Sequence, residues 1–70
     1  MSNRIILNKV LYKDKTYYHV SCTNSVRDKY AELARSIGDE AYIIDNELYI
    51  DEGAFFNISL MDAESTFIIQ

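Results

Sequence analysis

Several residue types are scarce or absent in this chain of 70 residues, and each absence narrows what the protein can be. There is no Pro and no Trp, and the two Gly residues stand far apart, which excludes a glycine-rich phosphate-binding loop. Cys22 is the only cysteine, so no internal disulfide can form. No apolar run approaches the roughly 18 residues that span a membrane, and the opening residues MSNRIIL lack the apolar core of a secretory signal. We therefore expect one cytoplasmic domain, residues 1–70, without membrane association.

Residues that carry catalysis or bind metal ions are equally scarce. His19 is the only histidine, and its spacing of three from Cys22 places the two side chains on opposite faces of one strand. That arrangement cannot serve as a nucleophile pair, and it falls short of a zinc site with four ligands. Adjacent acids such as Asp39 and Glu40 lack the ligand spacing of a calcium loop. The sequence predicts a protein that is not an enzyme, with no catalytic residue, metal or cofactor.

Positive charge is missing from the second half of the chain. All seven Lys and Arg residues stand before residue 37 with three acids, whereas residues 37–70 contain eight acids and no basic residue. Either the two halves neutralise each other in the folded domain, or the second half presents an acidic surface to a basic partner or to the basic side of another copy. The acids argue against direct nucleic-acid binding, because phosphate contacts dominate that affinity.

The clearest fold signal is the stretch AYIIDNELYID at residues 41–51. Placing Asp45 and Asn46 in a two-residue turn predicts a hairpin in which Tyr42 pairs with Tyr49. One face of that hairpin is apolar and consists of Ala41, Ile43, Leu48 and Ile50. The other face combines apolar and acidic side chains, namely Tyr42, Ile44, Glu47, Tyr49 and Asp51.

A second hairpin is predicted over residues 4–22, with its turn at Asp14 and Lys15, because apolar and polar residues alternate on both sides of a polar break. Its core-like face consists of Leu7, Leu11, Tyr18, Val20 and Cys22. Its reverse face is aromatic and consists of Val10, Tyr12, Tyr17 and His19.

A single helix is predicted between the hairpins. Thr23, Asn24 and Ser25 are candidate N-cap residues, and Gly38 suits the left-handed position after the last turn. Its apolar stripe has helical spacing and consists of Val26, Tyr30, Leu33, Ala34 and Ile37.

Alternation in AFFNISL, residues 54–60, predicts a strand after a turn at 51–53, with Phe56, Ile58 and Leu60 inward and Phe55, Asn57 and Ser59 outward. A last strand at 66–69 would add Phe67 and Ile69 to the core. The predicted order is ββαββββ, an α+β domain in which one amphipathic helix packs on an antiparallel sheet.

The reverse face of this sheet is the predicted functional surface. Tyrosine supplies a large contact area at low entropic cost, so a Tyr-rich face rimmed by acids favours recognition of another protein. We expect a small inhibitor or adaptor, of a kind common on phages and mobile elements, that acts by steric occlusion. Its partner could be a nucleic-acid-binding enzyme whose basic groove accepts the acids as a mimic of nucleic acid. The candidate contact residues are Tyr42, Ile44, Glu47, Tyr49, Asp51, Tyr12 and Tyr17, with Phe55 as a further candidate.

Two alternatives use the same sequence differently. The aromatic surface could be the self-interface of a homodimer or larger homo-oligomer with a structural or accessory role. The basic half could instead bind nucleic acid through an aromatic stacking surface. The basic residues considered for that alternative are Lys9, Lys13, Lys15, Arg27 and Lys29.

Overall fold

Two helices pack on one five-stranded sheet in the computed structural model, which describes residues 4–70. The elements are β1 (Arg4–Tyr12), β2 (Lys15–Ser21), α1 (Asn24–Ser36), β3 (Ala41–Ile44), β4 (Glu47–Asp51), α2 (Glu52–Met61) and β5 (Thr66–Ile69). The strand order across the sheet is β3-β4-β2-β1-β5. Neighbouring strands are antiparallel except β1 and β5, which are parallel. The predicted α+β class is confirmed, although the sheet is mixed and the observed order is ββαββαβ.

The hairpin formed by β3 and β4 has the predicted register. Tyr42 pairs with Tyr49, and the turn residues Asp45 and Asn46 have φ of 52° and 65°. Two consecutive positive φ angles are what a two-residue turn needs to match the twist of its strands, and Asn and Asp tolerate that conformation better than most residues. The sequence therefore contains a sufficient turn signal without glycine.

The hairpin formed by β1 and β2 turns one residue earlier than predicted. Its turn residues are Lys13 and Asp14, with φ of 49° and 62°, and Tyr12 pairs with Lys15. This correction moves the pairing by two residues, and a shift by two leaves every side chain on its predicted face. Leu11 nevertheless is 72% exposed, because it lies near the hairpin tip, away from the helices.

Helix α1 matches its prediction in position and in most of its buried face. Thr23 is the N-cap, and its hydroxyl oxygen accepts a hydrogen bond from the backbone N–H of Val26 at 3.4 Å. Tyr30, Ala31 and Ala34 are buried. Ile37, predicted to extend the apolar stripe, is 42% exposed because it is the C-cap residue, after the last helical turn.

Residues 52–61 form helix α2 and not the predicted strand. Asp51 is its N-cap, and one carboxylate oxygen accepts a hydrogen bond from the N–H of Ala54 at 2.7 Å. Glu52 adds a negative charge to the first turn, where the helix dipole favours it. Ala54 and Ile58, four residues apart, are the buried residues of this helix.

The alternation that suggested a strand at 54–60 is therefore misleading. Ile58 is buried as predicted, but Phe56 and Leu60 are 63% and 65% exposed. Phe55, predicted to face outward, packs against the core and contacts Tyr18, with 5.0 Å between the ring centroids. Helical geometry explains the reversal, since residues 54, 55 and 58 share one side of a helix while 56 and 60 share another.

Strand β5 lies at the sheet edge beside β1. Ile5 pairs with Phe67 and Leu7 with Ile69. The strand is parallel to β1 because α2 returns the chain across the sheet, so β5 runs in the same direction as β4 and β1. Phe67 packs against the core as predicted. Ile69 lies at the edge and is 51% exposed, so its predicted place in the core is wrong.

Both helices lie on the same face of the sheet. Strands β2 and β4 run in opposite directions, and the connections through α1 and α2 run towards opposite edges. Two right-handed crossovers with that geometry place their helices on one side. The resulting core is continuous between the sheet and both helices. It consists of Ile5, Leu7, Tyr18, Val20, Tyr30, Ala31, Ala34, Ala41, Leu48, Ile50, Ala54 and Ile58.

Ile43, predicted on the inner face of its hairpin, is on the helix side but 39% exposed, because β3 is the edge strand. Neither helix of residues 4–70 is long and apolar enough to cross a membrane.

A polar network ties α1 to the loop after α2. The Tyr30 hydroxyl donates a hydrogen bond to Asp62 at 2.6 Å, and Ser65 also donates to Asp62 at 2.7 Å. Burial raises the pKa of Tyr30 to about 12, and the hydrogen bond to Asp62 adds to this shift. The same hydrogen bond lowers the pKa of Asp62 below its usual range. The carboxylate form of Asp62 is therefore the form that stabilises the fold.

We predict that Tyr30→Phe lowers the free energy of unfolding by about 1.5–3 kcal/mol at neutral pH, the range for a hydrogen bond to a charged group. Because the pKa of Asp62 is depressed in the folded state, this stabilisation is present above its unfolded pKa and is lost as the pH falls through the folded pKa. Urea unfolding of the wild type and the variant, at neutral pH and at successively lower pH, should show the difference shrinking. A difference independent of pH would contradict this role.

Candidate functional site

The sheet face opposite the helices carries the tyrosines that the sequence indicated. No element within residues 4–70 covers this face, which we call the aromatic face. Its centre is a groove of about 480 Å³. Six residues from all four antiparallel strands line the groove, namely Val10, Tyr12, Tyr17, Tyr42, Ile44 and Tyr49.

Cross-strand pairing places these side chains next to one another. Tyr49 of β4 pairs with Tyr42 on one side and with His19 on the other. Tyr17 of β2 pairs with Val10 of β1. Paired residues point to the same face of a sheet, so strands distant in sequence contribute to one surface.

Ring contacts join the tyrosines into a connected cluster. Tyr17 contacts Tyr12 and Tyr42 in edge-to-face geometry, with centroid distances of 6.4 and 6.0 Å. Tyr49 lies 5.2 Å from the ring of His19. Aromatic pairs in this geometry contribute about 0.5–1.5 kcal/mol beyond their buried area, so the rings hold a defined arrangement despite their exposure.

An ion pair fixes one end of the groove. Lys15 donates to the carboxylate of Glu40, and the Tyr17 hydroxyl donates to the same oxygen at 3.1 Å. The hydrogen bond from Lys15 lowers the pKa of Glu40 and raises that of Lys15. Partial removal from water raises the pKa of Tyr17, and the neighbouring Glu40 adds to this effect. All three groups keep their usual charge states at neutral pH, so the local charges of Lys15 and Glu40 cancel.

The predicted site residue Glu47 is at the opposite end of the groove and is also paired. Its carboxylate lies 2.7 Å from Nε2 of His19, and its side chain is 52% exposed. Lys13, in the turn between β1 and β2, has its Nζ at 5.4 Å from the ring centre of Tyr12, at the end of the groove where Lys15 and Glu40 lie. The end of the aromatic face at the turn between β1 and β2 carries charges of both signs, whereas Asp45 and Glu47 lie at the end formed by the turn between β3 and β4.

The structure gathers six of the seven predicted contact residues around the groove, five as its lining and Glu47 at its rim. Asp51 lies at the same end as Lys15, with Oδ2 at 3.7 Å from Nζ of Lys15, but its Oδ1 caps α2 and its side chain is only 13% exposed. Phe55, the further candidate, lies in the core on the opposite side of the sheet.

The sequence placed Val10 on the reverse face, in phase with Tyr12, but did not count it among the candidate contact residues. The ion pair of Lys15 and Glu40 was not predicted. The ion pair joins residues 25 positions apart, and no local pattern signals such a contact.

The basic residues of the nucleic-acid alternative are dispersed. Lys9 shares the strand face of Leu7, on the helix side of the sheet. Arg27 and Lys29 belong to α1, where each lies close to an acid. Only Lys13 and Lys15 lie beside the aromatic face. These five residues do not form one continuous basic stripe.

Within residues 4–70, no three side chains of His, Cys, Asp or Glu come together as metal ligands. The aromatic face offers exposed rings, tyrosine hydroxyls and hydrogen-bonded polar groups at its rim, all of which can contact another molecule.

No protein-family model, curated protein or solved structure matches the chain.

Two substitutions of Asp51 test whether this residue stabilises the fold through its capping oxygen. Asp51→Asn should leave the free energy of unfolding nearly unchanged, because Asn caps a helix as well as Asp, whereas Asp51→Ala should lower it by about 1 kcal/mol. Thermal unfolding of the two variants checks this. Equal losses in both would show that the charge of Asp51, and not its capping oxygen, is what the fold requires.

Proposed function

We propose that this chain is a non-enzymatic binding module that recognises another protein through its aromatic face and acts as an inhibitor or adaptor by occluding the surface it covers. One observation carries the proposal: tyrosines from four strands surround a single apolar groove on the side of the sheet that the helices leave open. Tyrosine-lined concave surfaces of this kind are typical of the centres of protein interfaces.

The exposure of the groove residues supports this function. Tyr12, Tyr42 and Ile44 are 59%, 45% and 56% exposed, although the chain has a core able to bury large side chains. Exposed apolar patches on a small domain favour association, and neighbouring large apolar residues mark an interface more strongly than scattered ones. A partner that covers the groove would remove this apolar surface from water.

The pairing of the charges favours a protein partner over mimicry of nucleic acid. Glu40 and Glu47, the acids closest to the groove, pair with Lys15 and His19. A mimic needs an array of unneutralised carboxylates to replace phosphates, whereas Glu40 is neutralised by Lys15 and Glu47 is hydrogen-bonded to His19, beside an apolar centre. Mimicry therefore becomes the weaker version of the inhibitor proposal.

The charge layout of the aromatic face gives the homodimer alternative a specific observation. Lys13 and Asp45 lie at opposite ends of the face, in the turns between β1 and β2 and between β3 and β4. If two copies packed face to face with their strands reversed, Lys13 of each would lie over Asp45 of the other. Static light scattering at increasing concentration tests this arrangement, and a monomer throughout would eliminate it.

The main test is a Tyr42→Ala/Tyr49→Ala double variant used as bait in pull-downs from host extract. Interface tyrosines near the centre of a contact commonly contribute about 2 kcal/mol or more each, so partner retention should fall at least about tenfold. The matched control is Phe56→Ala/Leu60→Ala, which removes exposed apolar side chains from α2 on the other side of the molecule.

Circular dichroism and thermal unfolding establish that both double variants remain folded. The proposal is supported if the tyrosine variant alone loses the partner. Full retention by a folded Tyr42→Ala/Tyr49→Ala variant, or loss confined to the α2 variant, would move the binding surface elsewhere.

A further inference from the structure

Among residues 4–70, strand β3 is an open edge of the sheet, with β4 as its neighbour on one side only. Natural edge strands are protected from pairing by short length or by Lys, Pro or a bulge. Strand β3 is short, with four residues, but its sequence AYII contains no charge and no proline. Tyr42, Ile43 and Ile44 are 45%, 39% and 56% exposed, so the open edge is also apolar.

Backbone alternation identifies which groups face the open side. The N–H of Asp51 donates to the carbonyl of Glu40, so Glu40 and the residues in phase with it, Tyr42 and Ile44, bond to β4. In an antiparallel ladder the intervening residues point their N–H and C=O groups the other way. Ile43 therefore presents its donor and acceptor to the open edge.

This edge forms one side of the aromatic groove. Tyr42 and Ile44 both line the groove, and both belong to β3. A strand added beside β3 would place every second side chain on the aromatic face, next to these two residues. Backbone hydrogen bonds and groove contacts would then act on the same ligand segment, as in recognition by strand addition.

Charge around β3 indicates the character of the added strand. The strand lies between Asp39 and Asp45, neither of which has a Lys or Arg partner within residues 4–70, whereas Glu40 is paired with Lys15. A second copy is disfavoured in the register centred on Tyr42, because antiparallel self-pairing there would place Asp39 opposite Asp45 of the other copy. A segment with an apolar centre and basic flanks would instead meet opposite charges.

We propose that the partner contributes an extended segment with basic flanks that adds to β3 as a sixth strand and places alternate side chains in the aromatic groove. This inference rests on the proposed function and specifies the chemistry of the partner at the same surface.

A synthetic peptide, KRVTVYVRK, serves as the probe, with EEVTVYVEE as its charge-reversed match. The first peptide should bind the wild-type protein at least about tenfold more tightly than the second, with the difference decreasing as salt rises. Binding should also protect the Ile43 amide from hydrogen exchange, because that N–H gains an acceptor in the added strand. Equal binding of the two peptides, or no binding of the basic one, would overturn the inference.

Ile43→Pro tests the edge directly, because it removes the outward N–H and leaves the bonds between β3 and β4 in place. Affinity for KRVTVYVRK should fall at least about tenfold, while the matched control Ile43→Val, which keeps the N–H, should bind as the wild type does. If the proline variant does not fold, two N-methylated forms of the peptide replace it, one methylated on the odd-numbered backbone nitrogens and the other on the even-numbered ones. Only one of the two forms should lose binding, because in the other the methylated nitrogens point away from β3.

The outcomes separate this inference from the proposed function. Loss of peptide binding in Tyr42→Ala/Tyr49→Ala together with full binding by Ile43→Pro would overturn strand addition and leave the aromatic face as a binding surface. If the protein dimerises without any peptide and Ile43→Pro abolishes that dimer, the open edge binds a second copy. This result would also overturn the inference. The proposed function itself fails only in the pull-down, if the natural partner does not require Tyr42 and Tyr49.

Discussion

The structure depends on burying two helices against the same face of one sheet. Tyr30 and Ala34 of α1, and Ile58 of α2, reach the core formed by the central strands. A chain this short buries only about 60% of the surface that it exposes when unfolded, so it can form one well-packed core and not two. With both helices on one side, that side has the large buried residues and the opposite side is left with a single layer of side chains.

The apolar residues on the open side are therefore the feature on which the proposed function depends. An exposed sheet face usually carries polar side chains in alternation with the buried ones. Here the open positions of β1 to β4 include Val10, Tyr12, Tyr17, Ile44 and Tyr49, and their charged neighbours pair locally. The rings stabilise one another through edge contacts, and the ion pairs keep the groove rim ordered without making it strongly acidic. A preformed, aromatic and nearly neutral centre suits contact with a protein surface.

The sequence was sufficient for the elements whose local signals agree and insufficient where two signals compete. The Asp45-Asn46 turn and the strict alternation around it fix a hairpin register, and Thr23 with the spacing of Tyr30 and Ala34 fixes α1. Residues 54–60 alternate like a strand, yet the cap at Asp51 and core packing of Phe55 select a helix. The sheet is mixed and not antiparallel as predicted, because β5 lies beside β1, which runs in the same direction. The faces of the strands, and hence most of the candidate site, survived because they depend only on alternation.

The most direct test of the account is whether the aromatic face is open in the free protein. A soluble gadolinium chelate, added at a protein concentration where the chain is monomeric, enhances the NMR relaxation of methyl groups near the solvent. Ile44 is 56% exposed and Ile50 is 1% exposed on the opposite face of the same hairpin, so the Ile44 methyls should be strongly relaxed and those of Ile50 spared. Equal protection of both isoleucines would show that the aromatic face is covered within the monomer, and would contradict its role as a binding surface.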